Sequence, residues 1–152
     1  MGSLLQRSLI FIGIMAAGLI FYAVRFNMIA ESFDETAVPY LDNAIPILAS
    51  WRYRALEPLL SPQAREKLTT EKGRAAYQRL TKLGQFNSME KPQYQSDYSE
   101  HTETLGDIRV VSYTIPADFE TGPATIKINL ASIDEVLYIH QFGIQSEIFA
   151  AP

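Results

Sequence analysis

Residues 107–149 read DIRVVSYTIPADFETGPATIKINLASIDEVLYIHQFGIQSEIF, and this stretch decides the fold class. Apolar residues alternate with polar ones in it, and β-branched and aromatic residues are frequent, which indicates strands. Residues 107–119 form the first strong run. Over residues 124–130 the alternation is regular, so one face of that strand is expected in a core and the other in water.

The end of the stretch, residues 136–149, is apolar on both faces as far as Gln145. This pattern favours a central strand that curves, and Gly143 is the expected site of a bulge. A weaker strand is predicted upstream, over residues 86–101, with a break near Pro92. Turn signals separate the runs at Gly106-Asp107, Gly122-Pro123 and Asp134-Glu135. Such short connections predict an antiparallel sheet of about four strands.

The residues before the sheet follow a helical spacing. Apolar positions recur at helical intervals between Leu41 and Ala55, but Pro46 falls inside the pattern. Proline removes a backbone donor and should kink or restart the helix, so two short helices or one bent helix both satisfy the sequence. Helices that precede a sheet joined by short turns predict an α+β domain, with the helices covering one face of the sheet.

Two further helices carry start and stop signals. Ser61 followed by proline supplies an N-cap and a first-turn proline for residues 63–68. Thr70 is placed to cap a helix over residues 71–83, and Gly84 is placed to end it.

The N-terminal segment predicts a membrane anchor. Residues 8–24 read SLIFIGIMAAGLIFYAV, an uncharged run of about 17 residues that is near the lower limit for a transmembrane helix. A cleaved signal peptide is the alternative, but cuts after Ala23 or Ala30 would place Phe21 or Met28 where small residues are required. We therefore expect an anchor over residues 1–30, a short connection over 31–39 and a domain over 40–152.

The charges around the anchor set the expected topology. Arg7 and the terminal amine precede the apolar run and Arg25 follows it, a bias that favours a cytoplasmic N-terminus and a periplasmic or extracellular domain. Gly13 and Ala17 are four residues apart, so they predict a small face that a neighbouring membrane helix could contact. Small residues are also common in membrane helices without such a contact.

Composition and charge exclude several functions. The chain has no cysteine, which rules out disulfides, thiolate metal sites, a cysteine nucleophile and an acylated lipoprotein cysteine. Residues 52–82 carry eight basic and three acidic side chains, whereas residues 84–152 carry three basic and ten acidic ones. A net charge of −4 and a pI near 5.2 disfavour nucleic acid as a partner.

The residues of the predicted basic face are Arg52, Arg54, Lys72, Arg74, Arg79 and Lys82. This face favours anionic headgroups or a complementary protein, and an ordinary solvated face is the alternative.

Chemistry-bearing residues are few. His101 and His140 are the only histidines, neither has metal-ligand spacing around it, and no cofactor is expected. The residues predicted to line a cavity are Trp51, Tyr77, Tyr113, Tyr138, His140 and Phe142. They suit a hydrophobic ligand, although ordinary core packing explains the aromatic residues more economically. His140 is an acid–base candidate, and a buried, hydrogen-bonded core histidine is the alternative.

Three phrases resemble a known family. LEPLLSPQAREKL at 56–68, LTKLGQFNS at 80–88 and DEVLYIHQFGIQS at 134–146 resemble the helix, turn and closing-strand passages of nuclear transport factor two-like (cystatin-like) domains. The resemblance covers residues 40–149 and implies a cone of helices on a curved antiparallel sheet. That family includes isomerases, dehydratases, ligand binders and scaffold subunits, so the resemblance implies no single function.

Anchor, domain and charge together predict a non-enzymatic accessory or assembly subunit of an envelope membrane complex. The layout, one helix followed directly by the domain, resembles inner-membrane core components of type IV secretion systems. Expected partners are the lipid bilayer, other membrane or envelope proteins and a second copy of the chain. The alternatives are a membrane-tethered binder of a small hydrophobic ligand and an isomerase-like or hydrolase-like enzyme with His140 as base.

Overall fold

The computed structural model describes residues 2–150 and has an α+β architecture, as the sequence predicts. The helices are α1 (Gly2–Leu48), α2 (Tyr53–Leu56), α3 (Pro62–Thr69) and α4 (Glu71–Leu80). Short 3₁₀ turns follow at Glu57–Leu59, Thr81–Leu83 and Glu147–Phe149. The strands are β1 (Phe86–Met89), β2 (Gln93–Thr102), β3 (Gly106–Phe119), β4 (Gly122–Ile133) and β5 (Val136–Gln145). Met1, Ala151 and Pro152, which complete the predicted anchor and domain ranges, lie outside the described residues.

Helix α1 is continuous over 47 residues and runs from the apolar N-terminal segment into the core. Its last turns bury one face against the sheet, through Ala37, Leu41, Ala44, Ile45 and Leu48. Residues 31–39, which the sequence predicted as a connection, are helical. The apolar segment and the domain therefore share one helix.

The expected kink or restart at Pro46 does not end α1, because its two prolines lie on the solvent side of the helix. Pro39 and Pro46 are seven residues apart and both are exposed. A proline leaves the carbonyl four residues earlier without its helical partner. Those carbonyls belong to Glu35 and Asp42, which are also exposed, so water can bind them. Helices that wrap a core curve convexly toward solvent, and prolines on that side are compatible with such curvature.

The predicted caps of the short helices are confirmed. The Ser61 side chain accepts a hydrogen bond from the Ala64 N–H at 3.2 Å, and the Thr70 side chain accepts one from the Gly73 N–H at 3.0 Å. Gly84 has φ +76, a left-handed conformation that glycine adopts at least cost, and it ends the 3₁₀ turn after α4.

The sheet is antiparallel with five strands rather than about four. Its order is β1-β3-β4-β5, and β2 also pairs with β3. The additional strand arises because the predicted strand over 86–101 breaks near Pro92 into β1 and β2, and both pair with the long β3. Strand β5 is an edge strand, so the expectation that it is central is wrong. Strand β5 is apolar because another segment of the chain covers part of its outer edge, where Leu60 forms a bridge with Ile139.

We call the side of the sheet that packs on α1 the helix face and the opposite side the open face. The helix face carries the main core, with Val111, Tyr113, Ile115, Phe119, Ile126, Ile128, Leu130 and Ile139. The open face carries a small second cluster, with Ile108, Val110 and Ala131.

A bulge lies at His140 rather than at Gly143. Ile139 pairs with Leu130 and Gln141 pairs with Asn129, which leaves His140 without a partner on β4. Gly143 pairs in register with Lys127. The physical reason is the contact with the α2–α3 connection, because the Ser61 N–H donates to the Ile139 carbonyl at 2.9 Å and the Ser61 side chain holds the His140 ring.

Helix α1 and strand β3 run side by side in the same direction. The Arg109 guanidinium lies over the Phe33 ring at 5.4 Å near the start of β3. Beyond the other end of α1, the rings of Trp51 and Phe119 are 6.0 Å apart. The β2–β3 and β4–β5 turns therefore lie at the end of the sheet nearest the apolar part of α1.

The β4–β5 turn provides a test of this fold. Asp134 and Glu135 have φ values of 51° and 66°, which is the type I′ geometry that favours Asn-Gly. We expect Glu135→Gly to raise the free energy of unfolding by about 1 kcal/mol, because glycine adopts this conformation without strain. Urea unfolding of the full chain in detergent, followed by fluorescence of Trp51, the only tryptophan, measures the change. As the matched control, Gly106→Ala at φ +70 should lower stability by a similar amount, and a stabilising effect there would contradict the assignment.

Candidate functional site

The residues predicted to line one cavity lie in separate places. Tyr77, His140 and Phe142 line an open groove of about 350 Å³ between the α3–α4 helices and β5. Trp51 lies with Tyr77 along a neighbouring cleft of about 420 Å³. Tyr113 is on the helix face of β3, where its hydroxyl bonds to Asp34. Tyr138 is half-buried on β5 opposite Ala131 and is not among the residues that line the groove. The six residues predicted to line one cavity therefore do not share one.

The aromatic residues beyond the end of α1 form a packed, hydrogen-bonded group. The Trp51 ring lies 6.0 Å from the Tyr77 ring, and the Tyr77 ring lies 6.3 Å from that of Phe142. The Trp51 Nε1–H donates to the Gly84 carbonyl at 2.9 Å, and the Tyr77 hydroxyl donates to the Leu48 carbonyl at 2.9 Å. Burial raises the pKa of Tyr77 to about 12, so this donor stays protonated at neutral pH. These contacts join α4 to the end of α1.

His140 sits between a serine and a carboxylate. Its Nδ1 is 2.9 Å from the Ser61 Oγ, and its Nε2 is 3.1 Å from the Glu100 Oε2. Serine, histidine and acid in a line are also the parts of a hydrolytic triad. In this chain the serine is fully buried, and its oxygen also accepts the capping N–H of Ala64. A nucleophile has to reach its substrate, so the arrangement favours a structural role for His140.

The Ser61, His140 and Glu100 contacts join parts of the fold that the sheet itself keeps apart. Strands β2 and β5 are separated by β3 and β4, and three strand spacings place their backbones about 14 Å apart in a flat sheet. The side chains of Glu100 and His140 bridge that separation, while Ser61 begins α3. The contacts therefore hold β2, β5 and the start of α3 together.

A second group, which we call the docking cluster, fixes α1 to the sheet where the helix reaches the domain. Its members are Phe26, Phe33, Asp34, Tyr94, Asp97, Arg109 and Tyr113. The Tyr94 ring lies 5.3 Å from that of Phe26 and 5.8 Å from that of Phe33. Since Phe26 and Phe33 are two helical turns apart, Tyr94 contacts α1 at two positions along its axis.

Polar bonds complete the docking cluster. The Tyr113 hydroxyl donates to Asp34 at 2.7 Å, and the Tyr94 hydroxyl donates to Asp97 at 2.5 Å. Arg109 pairs with Asp97 and lies over the Phe33 ring. Burial raises the pKa of Tyr94 to about 12, with a further contribution from the bond to Asp97. Burial and the Asp34 carboxylate likewise raise the pKa of Tyr113.

The docking cluster could not be recognised from sequence. Asp34 and Tyr113 are 79 residues apart, as are Ser61 and His140. Asp34 lies shortly after the apolar segment in sequence, a position at which a carboxylate is ordinarily expected in water rather than in a side-chain bond to the sheet. The seven-residue spacing of Phe26 and Phe33 on a helix was the available signal, because it places two aromatic rings on one face.

The apolar residues of α1 that precede the docking cluster are not covered by the described part of the chain. Large apolar side chains from Leu4 to Val24 are exposed all around the helix. Among residues 2–150, one helix is long and apolar enough to span a membrane. Gly13 and Ala17 lie on this exposed surface, and a Cβ added at Gly13 would meet nothing within 4 Å.

The predicted basic face lies at the end of α1 away from the apolar segment. Arg52 and Arg54 follow the last turn of α1, and the other residues of the face lie on α4 and the turn after it. From Arg25 to Leu48 the helix is about 35 Å long, several times the Debye length of about 8 Å at physiological ionic strength. All six side chains are exposed, and the ion pairs among residues 2–150 include none of them. This position favours contact with a protein over contact with headgroups at the apolar end.

Acidic side chains dominate the opposite end of the domain. The turns there carry Glu103, Asp107, Asp134 and Glu135, all exposed. His101 pairs with Asp107 at 2.8 Å on the surface. Among the described residues no group of three or more histidine or acidic side chains is placed to hold a metal ion. The turns near the apolar segment are therefore acidic, whereas the cations of the basic face lie at the far end, which also carries Asp118 and Glu120 around the β3–β4 turn.

Comparisons with known proteins identify no family. A scan against protein-family models and searches of curated proteins and of solved structures each give no match. The nuclear transport factor two-like cone therefore stays a prediction.

The buried tyrosines predict loss of stability at alkaline pH. An unfolded tyrosine ionises near pH 10, whereas Tyr77 in the folded domain has a pKa of about 12. Between these values the folded state binds more protons than the unfolded state, so stability falls as pH rises. We expect the urea midpoint to fall from pH 10 to pH 12, and Tyr77→Phe to make the decline shallower. Tyr22→Phe, on the exposed apolar segment, is the matched control and should leave the decline unchanged.

The role of Ser61 can be tested against the enzyme alternative. If Ser61 is structural, a fluorophosphonate probe will not label it, and Ser61→Ala will lower the free energy of unfolding by about 2 kcal/mol through loss of the cap and of the His140 partner. Thr70→Ala is the matched control, because Thr70 caps α4 without contacting a histidine and should cost about 1 kcal/mol. Labelling of Ser61, with loss of labelling in His140→Ala, would support catalysis instead.

Proposed function

We propose that this chain is a single-pass, membrane-anchored, non-enzymatic subunit of an envelope complex, with a cytoplasmic N-terminus and the domain outside the cytoplasm. The observation that carries the proposal is the continuity of α1. Its first part, from Leu4 to Val24, is an exposed apolar segment, and the same helix continues into the domain core without a break. A fixed orientation at the membrane suits a subunit that has to present one face to neighbouring proteins.

The anchor is proposed to be uncleaved because it is part of the fold. Removal of residues 1–30 would take away Phe26, one of the two α1 rings that hold Tyr94. It would also cut within the helix, and the residues on either side of both candidate cleavage points are helical. The apolar side chains exposed around this segment need lipid or another membrane helix to cover them.

The partner-binding surface is proposed to be the basic end of the domain. It is held about 35 Å along α1 from Arg25, and its cations have no acidic partners among the ion pairs of the described residues. The docking cluster fixes the direction in which this end points. The proposed cone architecture fits this role, because the helices cover the core side of the sheet and leave the basic α4 surface outside.

Purification in mild detergent tests the subunit role. We expect the full chain with a C-terminal tag to bring down stoichiometric partner proteins, because the proposed role requires a protein bound at the basic surface. Recovery of a monomer alone from native membranes would contradict the proposal.

The importance of the rigid connection is tested by paired insertions between Arg25 and Phe26. Both inserts have seven residues, one flexible (Gly-Ser-Gly-Ser-Gly-Ser-Gly) and one helical (Ala-Glu-Ala-Ala-Ala-Lys-Ala), so both add the same number of residues. We expect partner recovery to fall more with the flexible insert, because the domain then loses its orientation. Labelling of Ser132→Cys by an impermeant maleimide in right-side-out vesicles controls for insertion, since the chain has no other cysteine. Equal partner recovery would contradict a role for fixed orientation.

A further inference from the structure

The two edges of the sheet are protected to different degrees. An exposed edge offers unpaired backbone donors and acceptors, and proteins usually protect it with charge, proline or irregularity. Strand β2 carries Asp97 and Glu100, follows Pro92 and has an irregular register between Tyr94 and Ser96. Residues 141–145 of β5 read QFGIQ, with no charge and no proline.

The edge of β5 is covered only at its middle. Leu60 forms a parallel bridge with Ile139, and the Ser61 N–H donates to the Ile139 carbonyl. The chain then turns away into α3. Within residues 2–150 the side of residues 141–145 that faces away from β4 has no strand partner. A short piece of the chain thus begins an added strand and leaves the rest of the edge free.

An apolar groove lies beside this free edge. It is the groove of about 350 Å³ between α3–α4 and β5, and Leu68, Ala76, Tyr77 and Leu80 form its helical wall. Gly143 forms part of the opposite wall. A Cβ at Gly143 would meet nothing within 4 Å and its backbone needs no positive φ, so the chain itself does not require glycine there. Glycine within a strand often marks the close approach of another backbone.

The positive charges around the groove favour an acidic binding partner. Lys67 lines the groove, and Arg74 lines the neighbouring cleft that shares Leu68 and Tyr77 with it. A second copy paired edge to edge about a two-fold axis would bring its own cations to the same place, which is repulsive. An acidic segment would be attracted.

We infer that residues 141–145 and the adjoining groove bind an extended, acidic segment of a partner protein, which adds a strand to β5. Backbone bonds to the edge supply affinity, apolar side chains of the segment fill the groove, and its carboxylates meet Lys67 and Arg74. This inference rests on the proposed subunit role and specifies the chemistry of the partner.

Site-specific photo-cross-linking of the full chain in native membranes tests it. Benzoylphenylalanine is placed at Gln141 and Gln145 on the free edge, and at Ser99 on the β2 edge as the control; all three positions are exposed. We expect cross-links from the two β5 positions to a partner segment rich in aspartate or glutamate, identified by mass spectrometry, and little product from Ser99. Backbone amides of residues 141–145 should also exchange hydrogen more slowly in the purified complex than in the isolated protein.

Charge reversal tests the contribution of the cations. Lys67→Glu should lower the cross-linking yield from Gln141 about fivefold, because an attractive charge pair becomes repulsive. Lys91→Glu changes the net charge equally on an exposed residue between β1 and β2 and should leave the yield unchanged. An equal loss in both variants would contradict a specific role for the groove.

The outcomes separate the two proposals. Partners recovered by purification but cross-linked only from other surfaces would overturn the edge site and leave the subunit role standing. A cross-link between two copies at Gln141, or an adduct of a small hydrophobic molecule, would replace the acidic segment with that occupant. A monomer without cross-links from any position would overturn both.

Discussion

The continuity of α1, which stays helical from the apolar segment into the core, is the constraint on which the rest of the structure depends. A helix that runs from an apolar segment into a core fixes the orientation of the domain relative to that segment, provided that the two cannot rotate against each other. Two features prevent such rotation here. Residues 31–39 remain helical, and the docking cluster contacts the helix at Phe26, Phe33 and Asp34 through aromatic contacts and a partly buried hydroxyl-to-carboxylate bond. Neither feature alone would be sufficient, because an undocked helix can lean away from a sheet and a docked but interrupted one can hinge.

This orientation gives the unequal distribution of charge a direction. A polarised domain on a flexible tether would sample all orientations, so either charged end could face any neighbour. Held on α1, the acidic turns beside Asp107 and Asp134 lie at one end, and Arg52 and Arg74 lie at the other. Screening confines each end to its immediate surroundings. The acidic end therefore interacts with groups close to the apolar segment. The basic end interacts only with molecules that lie near it, farther along the helix axis.

The sequence predicted local features well and tertiary ones poorly, for identifiable reasons. Alternation and turn residues located β3 and β4, and Ser61, Thr70 and Gly84 marked helix ends, because each of these signals acts within a few residues. Pro46 was misleading because its effect depends on which side of α1 faces water, and that is known only once the core is known. The edge position of β5 and its bulge at His140 depend on the segment around Ser61, which is 79 residues away. Tyr113 was grouped with the groove residues because aromatic character does not specify a face.

The bulge and the edge of β5 are linked through Ser61. As the N-cap of α3, Ser61 has to lie where the chain turns from an extended segment into a helix, and its N–H and hydroxyl both bond at Ile139 and His140. The extended segment can therefore cover β5 only up to the bulge. Beyond it, α3 carries the chain off the sheet, and α4 returns beside the edge with Tyr77 against Phe142 rather than with backbone donors. The uncharged residues 141–145 are left between an apolar wall and open space, so the cap that begins α3 also creates the place where another strand fits.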